Sequence, residues 1–309
     1  MAELAPDTMQ VFDRRAVRRH RARAAGTFAS HDFLVREVAE RLTERLRDVT
    51  RTFPRALDLG CHTGIMARVL SGREQVHALV QCDLSPEMAH LAADAGAPSL
   101  ATDEEALPFA QGSFDLVLSA LNLHWVNDLP GTLLQLRHML KPDGLLLVAM
   151  LGGETLRELR AALMEAEILE EDGASPRVSP FAEVRDAGSL LQRAGFALPV
   201  VDKDTIPVTY PNALALMREL RGMAETNAVR TRRKGFTRRG TLLRAAALYE
   251  QKFADAKGRI AATFEVIYLT AWAPAPDQPK ALRPGSARTR LADALGAEER
   301  PAGDKTGRL

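Results

Sequence analysis

Between residues 53 and 151 the chain alternates short, densely apolar runs with stretches of helical period. Arg55–Gly60 (RALDLG), Val76–Asp83, Phe114–Ser119 (FDLVLS) and Gly144–Leu151 (GLLLVAML) have strand length and few polar positions, as expected of strands buried on both faces. Ser99–Thr102 is a shorter candidate. Gly64–Leu70, Pro86–Ala95 and Leu129–Leu140 lie between them as helices. Ser85 is the predicted N-cap of the second, with Pro86 at its first position, and a KPDG turn ends the third. Strands alternating with helices imply right-handed crossovers and a mainly parallel sheet.

Outside this block the pattern is less regular. Val11–Ala25 has helical composition and is basic, and His31 to about Val49 places Phe33, Leu34, Val38, Leu42 and Leu46 at helical spacing. Downstream, Glu154–Glu171, Phe181–Ala194 and Asn212–Ala224 read as helices, Pro199–Tyr210 as extended, and Ala261–Trp272 as a last strand. Arg230–Arg239 is basic and weakly ordered, and Ala273–Leu309 has no periodicity, the mark of a mostly disordered tail. The predicted organisation is a basic N-terminal segment over 1–30, a single α/β domain over 31–272 with helical insertions near 152–180 and 211–255, and a tail over 273–309.

Composition narrows the classes. The 309 residues are 46% hydrophobic and 26% charged, enough apolar material for a sizeable core. Lys+Arg and Asp+Glu nearly cancel, 41 − 40 = +1, so no global charge draws the chain to nucleic acid or an anionic membrane. Two cysteines, Cys61 and Cys82, cannot build a disulfide framework and suit a reducing compartment. The longest apolar runs are half the length of a membrane span. The opening residues carry Glu3 and Asp7 and no apolar core of a signal peptide. Arg14–Arg23 has the charge of a mitochondrial presequence, but the early acids count against one, and the cytoplasm is the default location.

Candidate chemistry centres on LDLGCHTG, Leu57–Gly64, where a strand becomes a helix. A glycine turn there lets backbone approach a ligand closely and aims helix N–H groups at it. Asp83 ends the next strand, 23 residues after Gly60, where an acid takes the hydroxyls of an adenosine ribose in doubly wound folds. A dinucleotide site wants glycine where this chain has His62, and no phosphate-binding lysine follows. Asp58 would repel phosphate but suits the cationic amino-acid end of S-adenosylmethionine (SAM). Gly60, Gly64, Asp58 and Asp83 therefore favour SAM over NAD or ATP. His62 has no second ligand at metal spacing.

At these residues the chain resembles the class I SAM-dependent methyltransferase superfamily, which implies a Rossmann-like seven-stranded sheet. The resemblance implies further cofactor contacts at His62, Leu84, Asp103, Glu104 and Ser119, and places the substrate near Ser119–Trp125 (SALNLHW). Members of such families often have Asp-Ala in this position, so Glu104 after Asp103 is a departure.

A finer series narrows the match: Phe12–Arg14 (FDR), Leu123–Pro130 (LHWVNDLP), Gly152–Arg160 (GGETLRELR), Ser175–Phe181 (SPRVSPF), Leu190–Phe196 (LLQRAGF), Val208–Tyr210 and Leu220–Asn227 (LRGMAETN). It is similar to the arginine-hydroxylase family typified by mitochondrial complex I assembly factor 5, over roughly residues 10–275. Ala224 stands where that family has glycine. The resemblance implies modification of an arginine on an iron–sulfur subunit of respiratory complex I, in the cytoplasm of a bacterium or the mitochondrial matrix of a eukaryote. Malonyl-acyl-carrier-protein O-methyltransferases share the LHWVNDL-like segment. A SAM-dependent O- or N-methyltransferase on a small molecule or acyl carrier is therefore the alternative, with a SAM-bound assembly chaperone as a third reading.

The residues themselves do not reach hydroxylation. The seven histidines contain no His-x-Asp/Glu, and no flavin or haem signature is present. His124, a general base or a polar cap, and Trp125, a cation-binding face or core packing, are the catalytic candidates, joined by Glu225 as a partner for a substrate guanidinium, with Asn227 beside it. The two arginine runs, 14–23 and 230–239, read as solvated faces or as a lid and docking surface for an acidic partner. Nucleic acid is not expected as a partner.

Overall fold

The parallel β-α alternation is borne out. The computed structural model describes residues 10–171, 173–279, 285–286 and 289–298. They divide into two units, one ending at Pro274 and the other beginning at Ala275. In the first unit, helices α1 (Arg14–Ala24) and α2 (Phe33–Glu44) precede β1 (Phe53–Leu59), α3 (Ile65–Leu70), β2 (Val76–Asp83), α4 (Pro86–Ala93), β3 (Ser99–Ala101) and β4 (Phe114–Ala120). Then come α5 (Leu129–Met139), β5 (Leu140–Leu151), α6 (Arg157–Glu171), α7 (Val184–Arg193), β6 (Ala197–Tyr210), α8 (Ala213–Gly222), α9 (Arg239–Phe253) and β7 (Ile260–Trp272).

The seven strands lie in the order β3-β2-β1-β4-β5-β7-β6. The first five are mutually parallel, and β7 runs antiparallel between β5 and β6. Strand order reverses beside β1, so the gap between the carboxyl ends of β1 and β4 is where such a sheet holds a ligand.

Alternate residues of each central strand feed two apolar layers. On β5, Leu145, Leu147, Ala149 and Leu151 join the layer that includes α2 and α6, while Leu146, Val148 and Met150 join the layer of α5 and α7. Each such leucine contributes about 2 kcal/mol relative to exposure. Burial on both sides is why these strands read as continuous apolar runs.

Local signals set several boundaries. Ser85 accepts from the Met88 N–H at 3.4 Å with Pro86 at the first helical turn, and Asp128 caps α5 by accepting from Gly131 at 2.8 Å. Three expectations shift. KPDG does not stand outside the sheet: it begins β5, with Asp143 at φ +60° and its N–H bonded to the Ala273 carbonyl. Residues 154–156 are withheld from α6 because Thr155 and Leu156 bond back to β7 at the Glu265 and Thr263 carbonyls. Phe181 lies before α7, not in it.

Arg239–Phe253, for which no separate helix was expected, is α9, and it packs along α6. Of the expected tail, residues 280–284, 287–288 and 299–309 lie outside the described residues; the described part includes Ala273, which is buried on the sheet, and a short helix α10 (Leu291–Leu295). No described helix is long and apolar enough to cross a membrane.

Candidate functional site

At the end of β1 the chain turns sharply. Gly60 has φ +77°, and a Cβ there would lie 2.1 Å from Cγ of Asn122, so only glycine fits. Gly64, at φ +81°, is required for a different reason: its Cβ would meet that of Ala95 on the α4 side at 2.7 Å. His62 between them is also left-handed, at φ +50°. Its ring is buried, stacks on Phe28 at 5.2 Å, and meets the Ala120 carbonyl through Nε2 at 3.3 Å. Burial, reinforced by the Arg21 charge, pushes its pKa down to about 4, so this imidazole is neutral near pH 7.

Asp58 and Asp83 frame the turn. Asp58 is fully buried, its Oδ2 has no hydrogen-bond partner, and burial followed by repulsion from Asp83 raises its pKa well above the usual carboxylate range. A buried carboxyl of this kind is stabilised by an incoming cation. Asp83 accepts the His62 N–H at 3.1 Å and Nη1 of Arg21 at 2.9 Å through Oδ2, and the Ser85 N–H at 2.8 Å through Oδ1.

Of the two candidate acids after β3, Glu104 is buried, whereas the Asp103 side chain is 40% exposed. Both are held by Arg14 of α1. Ser119 spends its hydroxyl on the Leu59 carbonyl at 2.7 Å, so its side chain ties β4 to β1. Leu84 packs against the Phe12–Trp125 cluster.

The three catalytic candidates come together. Glu225 receives Nε2 of His124 at 3.2 Å on one oxygen and the indole N–H of Trp125 at 3.3 Å on the other. Its side chain is only 9% exposed. Burial alone would raise its pKa; the His124 charge and bond, the Trp125 N–H and Arg21 outweigh burial and hold it below the usual glutamate range. Trp125 is packed as well as bonded, edge-on to Phe12 at 5.3 Å. Nδ1 of His124 is buried without a partner. Asn227 is structural: it donates to the Pro176 carbonyl at 2.6 Å and accepts from the Val229 N–H.

Glu225 is positioned by the turn after α8. Its N–H reaches back to the Leu220 carbonyl at 2.8 Å across Ala224, which sits left-handed at φ +65°. That is the helix-ending position where glycine is favoured, and alanine is tolerated there at a cost of about 1 kcal/mol.

Trp125 and Glu225 face a cavity of about 430 Å³ walled by Leu159, Phe181, Leu220 and Phe264. Its lining also includes Arg177, bound to buried Glu167 at 2.7 Å, and exposed Arg221.

Three residues escaped the sequence reading. Arg21, inside the basic run, is 2% exposed and bridges Asp83, Glu104 and Asn122. Asn122, unremarked within SALNLHW, is fully buried over Gly60. Arg14 also donates to the Trp125 carbonyl at 3.2 Å. The N-terminal segment is thus an ordered helix packed on the site, with Ala16, Val17, Arg21 and Ala24 buried. The two arginine runs meet: Phe12 pairs with Val229, and the Arg230 N–H bonds to the Val11 carbonyl. Among the described residues, no group of three or more His, Cys, Asp or Glu is placed to hold a metal ion.

Comparison with known proteins agrees with the fold. The methyltransferase-domain family matches residues 57–148. Arginine-hydroxylase NDUFAF5, mitochondrial, of Danio rerio is 44% identical over 289 residues, covering 92% of this chain and 89% of its own length. The malonyl-[acyl-carrier protein] O-methyltransferase of Methylovorus sp. is 38% identical, covering 85% and 90%. Among solved structures, the YcgJ protein of Bacillus subtilis superposes with a TM-score of 0.52 at 16% identity, covering 76% of this chain and 98% of its own.

Proposed function

Because the chain belongs to the class I methyltransferase superfamily, within the family that includes the NDUFAF5 arginine-hydroxylases, we propose that it binds SAM and modifies an arginine of a partner protein. The observation that carries this reading is Glu225, a buried carboxylate held ionised on the wall of an apolar cavity. An arginine side chain has the matching form, an aliphatic stem with a planar cation that two carboxylate oxygens can take.

The residues at the turn suit SAM. Asp58, buried and unpartnered, would take its ammonium group, Asp83 its ribose hydroxyls, and Gly60 would let the backbone approach. Glu104 and Asp103 stand beside Asp83, within reach of Arg21 and Arg14. When bound, SAM supplies a sulfonium centre with an activated methyl group.

The chain's own groups supply position and charge. Glu225 would orient the guanidinium, Trp125 and Nε2 of His124 fix Glu225, and Nδ1 of His124 is buried without a partner beside them. Hydroxylation of a C–H bond also consumes an oxygen donor and two electrons, which these side chains do not carry. The partner in this reading is the iron–sulfur subunit of respiratory complex I, met in the cytoplasm of a bacterium or the matrix of a mitochondrion.

The second reading, methyl transfer to a malonyl group on an acyl carrier, is supported by the 38% identical relatives and by Arg177 and Arg221 in the cavity lining. Glu225 weighs against it, because an anionic wall repels a malonyl carboxylate, and Arg177 is already neutralised by Glu167. Mass spectrometry of the iron–sulfur subunit from cells with and without this gene separates the readings. A gene-dependent gain of one oxygen on arginine supports hydroxylation, and a gain of one methylene supports protein methylation. An unmodified subunit together with SAM-dependent methylation of a malonyl acyl carrier by the purified chain would move the assignment to the acyl carrier.

A further inference from the structure

Arg21 stands where a ligand of Asp83 has to bind. Its guanidinium comes from α1, is fully buried, and donates from Nη1 to Asp83 Oδ2 at 2.9 Å, with Glu104 Oε1 at 3.5 Å. Nη2 donates to Oδ1 of Asn122, whose side chain lies over the face of Gly60 that has no Cβ. One arginine therefore holds both the acid and the amide that covers the glycine turn.

We propose that Arg21 is an internal competitor for the cofactor, so that SAM binds by exchange: its ribose hydroxyls take Asp83 as the guanidinium leaves it. This inference rests on the SAM reading of the turn. Asp83 already accepts the His62 and Ser85 N–H groups, one on each oxygen, and a vicinal diol needs a further acceptor position on each. With Arg21 on Oδ2, the diol finds an open position only on Oδ1. Release of Arg21 restores the second position, and it frees Asn122 to move off Gly60.

The exchange opposes binding because it trades a buried, charge-assisted bond for neutral hydroxyl bonds. Arg14 stays on Glu104 and Asp103, so the acid cluster keeps one cation when Arg21 departs. Arg21 thereby sets cofactor affinity without being needed for the cofactor's own contacts.

Isothermal calorimetry of SAM with the full chain tests this, using the wild type, Arg21→Gln, Arg21→Lys and, as a control on the exposed side of α1, Arg18→Gln. The expected result is about tenfold tighter binding in Arg21→Gln and about threefold in Arg21→Lys, which keeps the charge but loses the planar fork, with Arg18→Gln unchanged. Thermal denaturation verifies that each variant is folded. Equal or weaker binding in folded Arg21→Gln overturns the exchange, and a loss of affinity would make Arg21 a direct cofactor contact. If Arg21→Gln does not fold, equal or weaker binding in Arg21→Lys overturns the exchange equally. Absence of SAM binding in the wild type and every variant would instead remove the SAM reading, and the exchange with it.

Discussion

The glycine turn and the Glu225 cavity are neighbours, but the chain encodes them in different ways. The turn is built from Asp58, Gly60, His62, Asp83 and Glu104, within a span shorter than 50 residues. Each stands at or just after the carboxyl end of a strand, so fixing β1, β2 and β3 fixes them. The cavity gathers Trp125, Leu159, Phe181, Leu220, Glu225 and Phe264 from five separate segments. No local element places it; it exists only once α6 and α8 have packed against the sheet. Chemistry at the turn is therefore a property of backbone, whereas chemistry at the cavity is a property of tertiary contacts.

The contrast can be broken most sharply at Gly60. Gly60→Ala puts a Cβ into Asn122 at a left-handed backbone position, and a loss of about 3 kcal/mol or more is expected in urea unfolding. A stable Gly60→Ala chain would mean that the turn adapts as the cavity does.

Glu225→Gln should do the reverse. It retains the shape and the bond from Trp125 but removes the negative charge. Arginine modification should fall about a hundredfold, with the melting temperature and SAM affinity nearly unchanged. Equal loss of SAM affinity would show that the two ends are not separable.

Acid offers a third cut. The folded-state pKa of His62 is depressed from 6.5 to about 4, and His20 is depressed to about 4 as well. Each contributes stability that is complete above 6.5 and lost as pH falls through the window towards 4. For His62 this is about 3 kcal/mol. His62→Phe, able to keep the stack on Phe28, should flatten the pH dependence of unfolding over that window, leaving the His20 share. An unchanged slope would assign the acid sensitivity elsewhere.

The smallest effect belongs to the cavity side. Ala224→Gly relieves a left-handed alanine at the end of α8 and should stabilise the chain by under about 1 kcal/mol. Destabilisation would mean that the alanine methyl packs usefully enough to offset its strain.

What the sequence made legible follows the same division. The βα order, the Ser85 cap and the acid at the end of β2 are signals spaced within one crossover, and they stand where expected. Helix α9 was not separately legible: its flank is a run of arginines, and Arg238 gives it no side-chain cap. Arg21 was hidden for a different reason. Exposed Arg18 and Arg19 have the same local composition, and only Asp83, 62 residues away, and Asn122, 101 residues away, distinguish the buried one. His124, Trp125 and Glu225 were each nameable as residue types with chemistry, but their meeting depends on the turn after α8.

The place of β7 gives the protein a schedule during synthesis. It is the last strand of the sheet in sequence, yet it sits between β5 and β6 and pairs with both. Until residues 260–272 have left the ribosome, β5 has an unpaired edge and β6 has no neighbour in the sheet. The N-terminal helix also waits, since Asp13 is tied to Ala228 and Phe12 pairs with Val229. The glycine turn can form early from local pieces, while the wall that holds Glu225 closes only after nearly the whole unit is made. Such non-local closure slows folding and leaves a partly built sheet exposed to other chains in the interval.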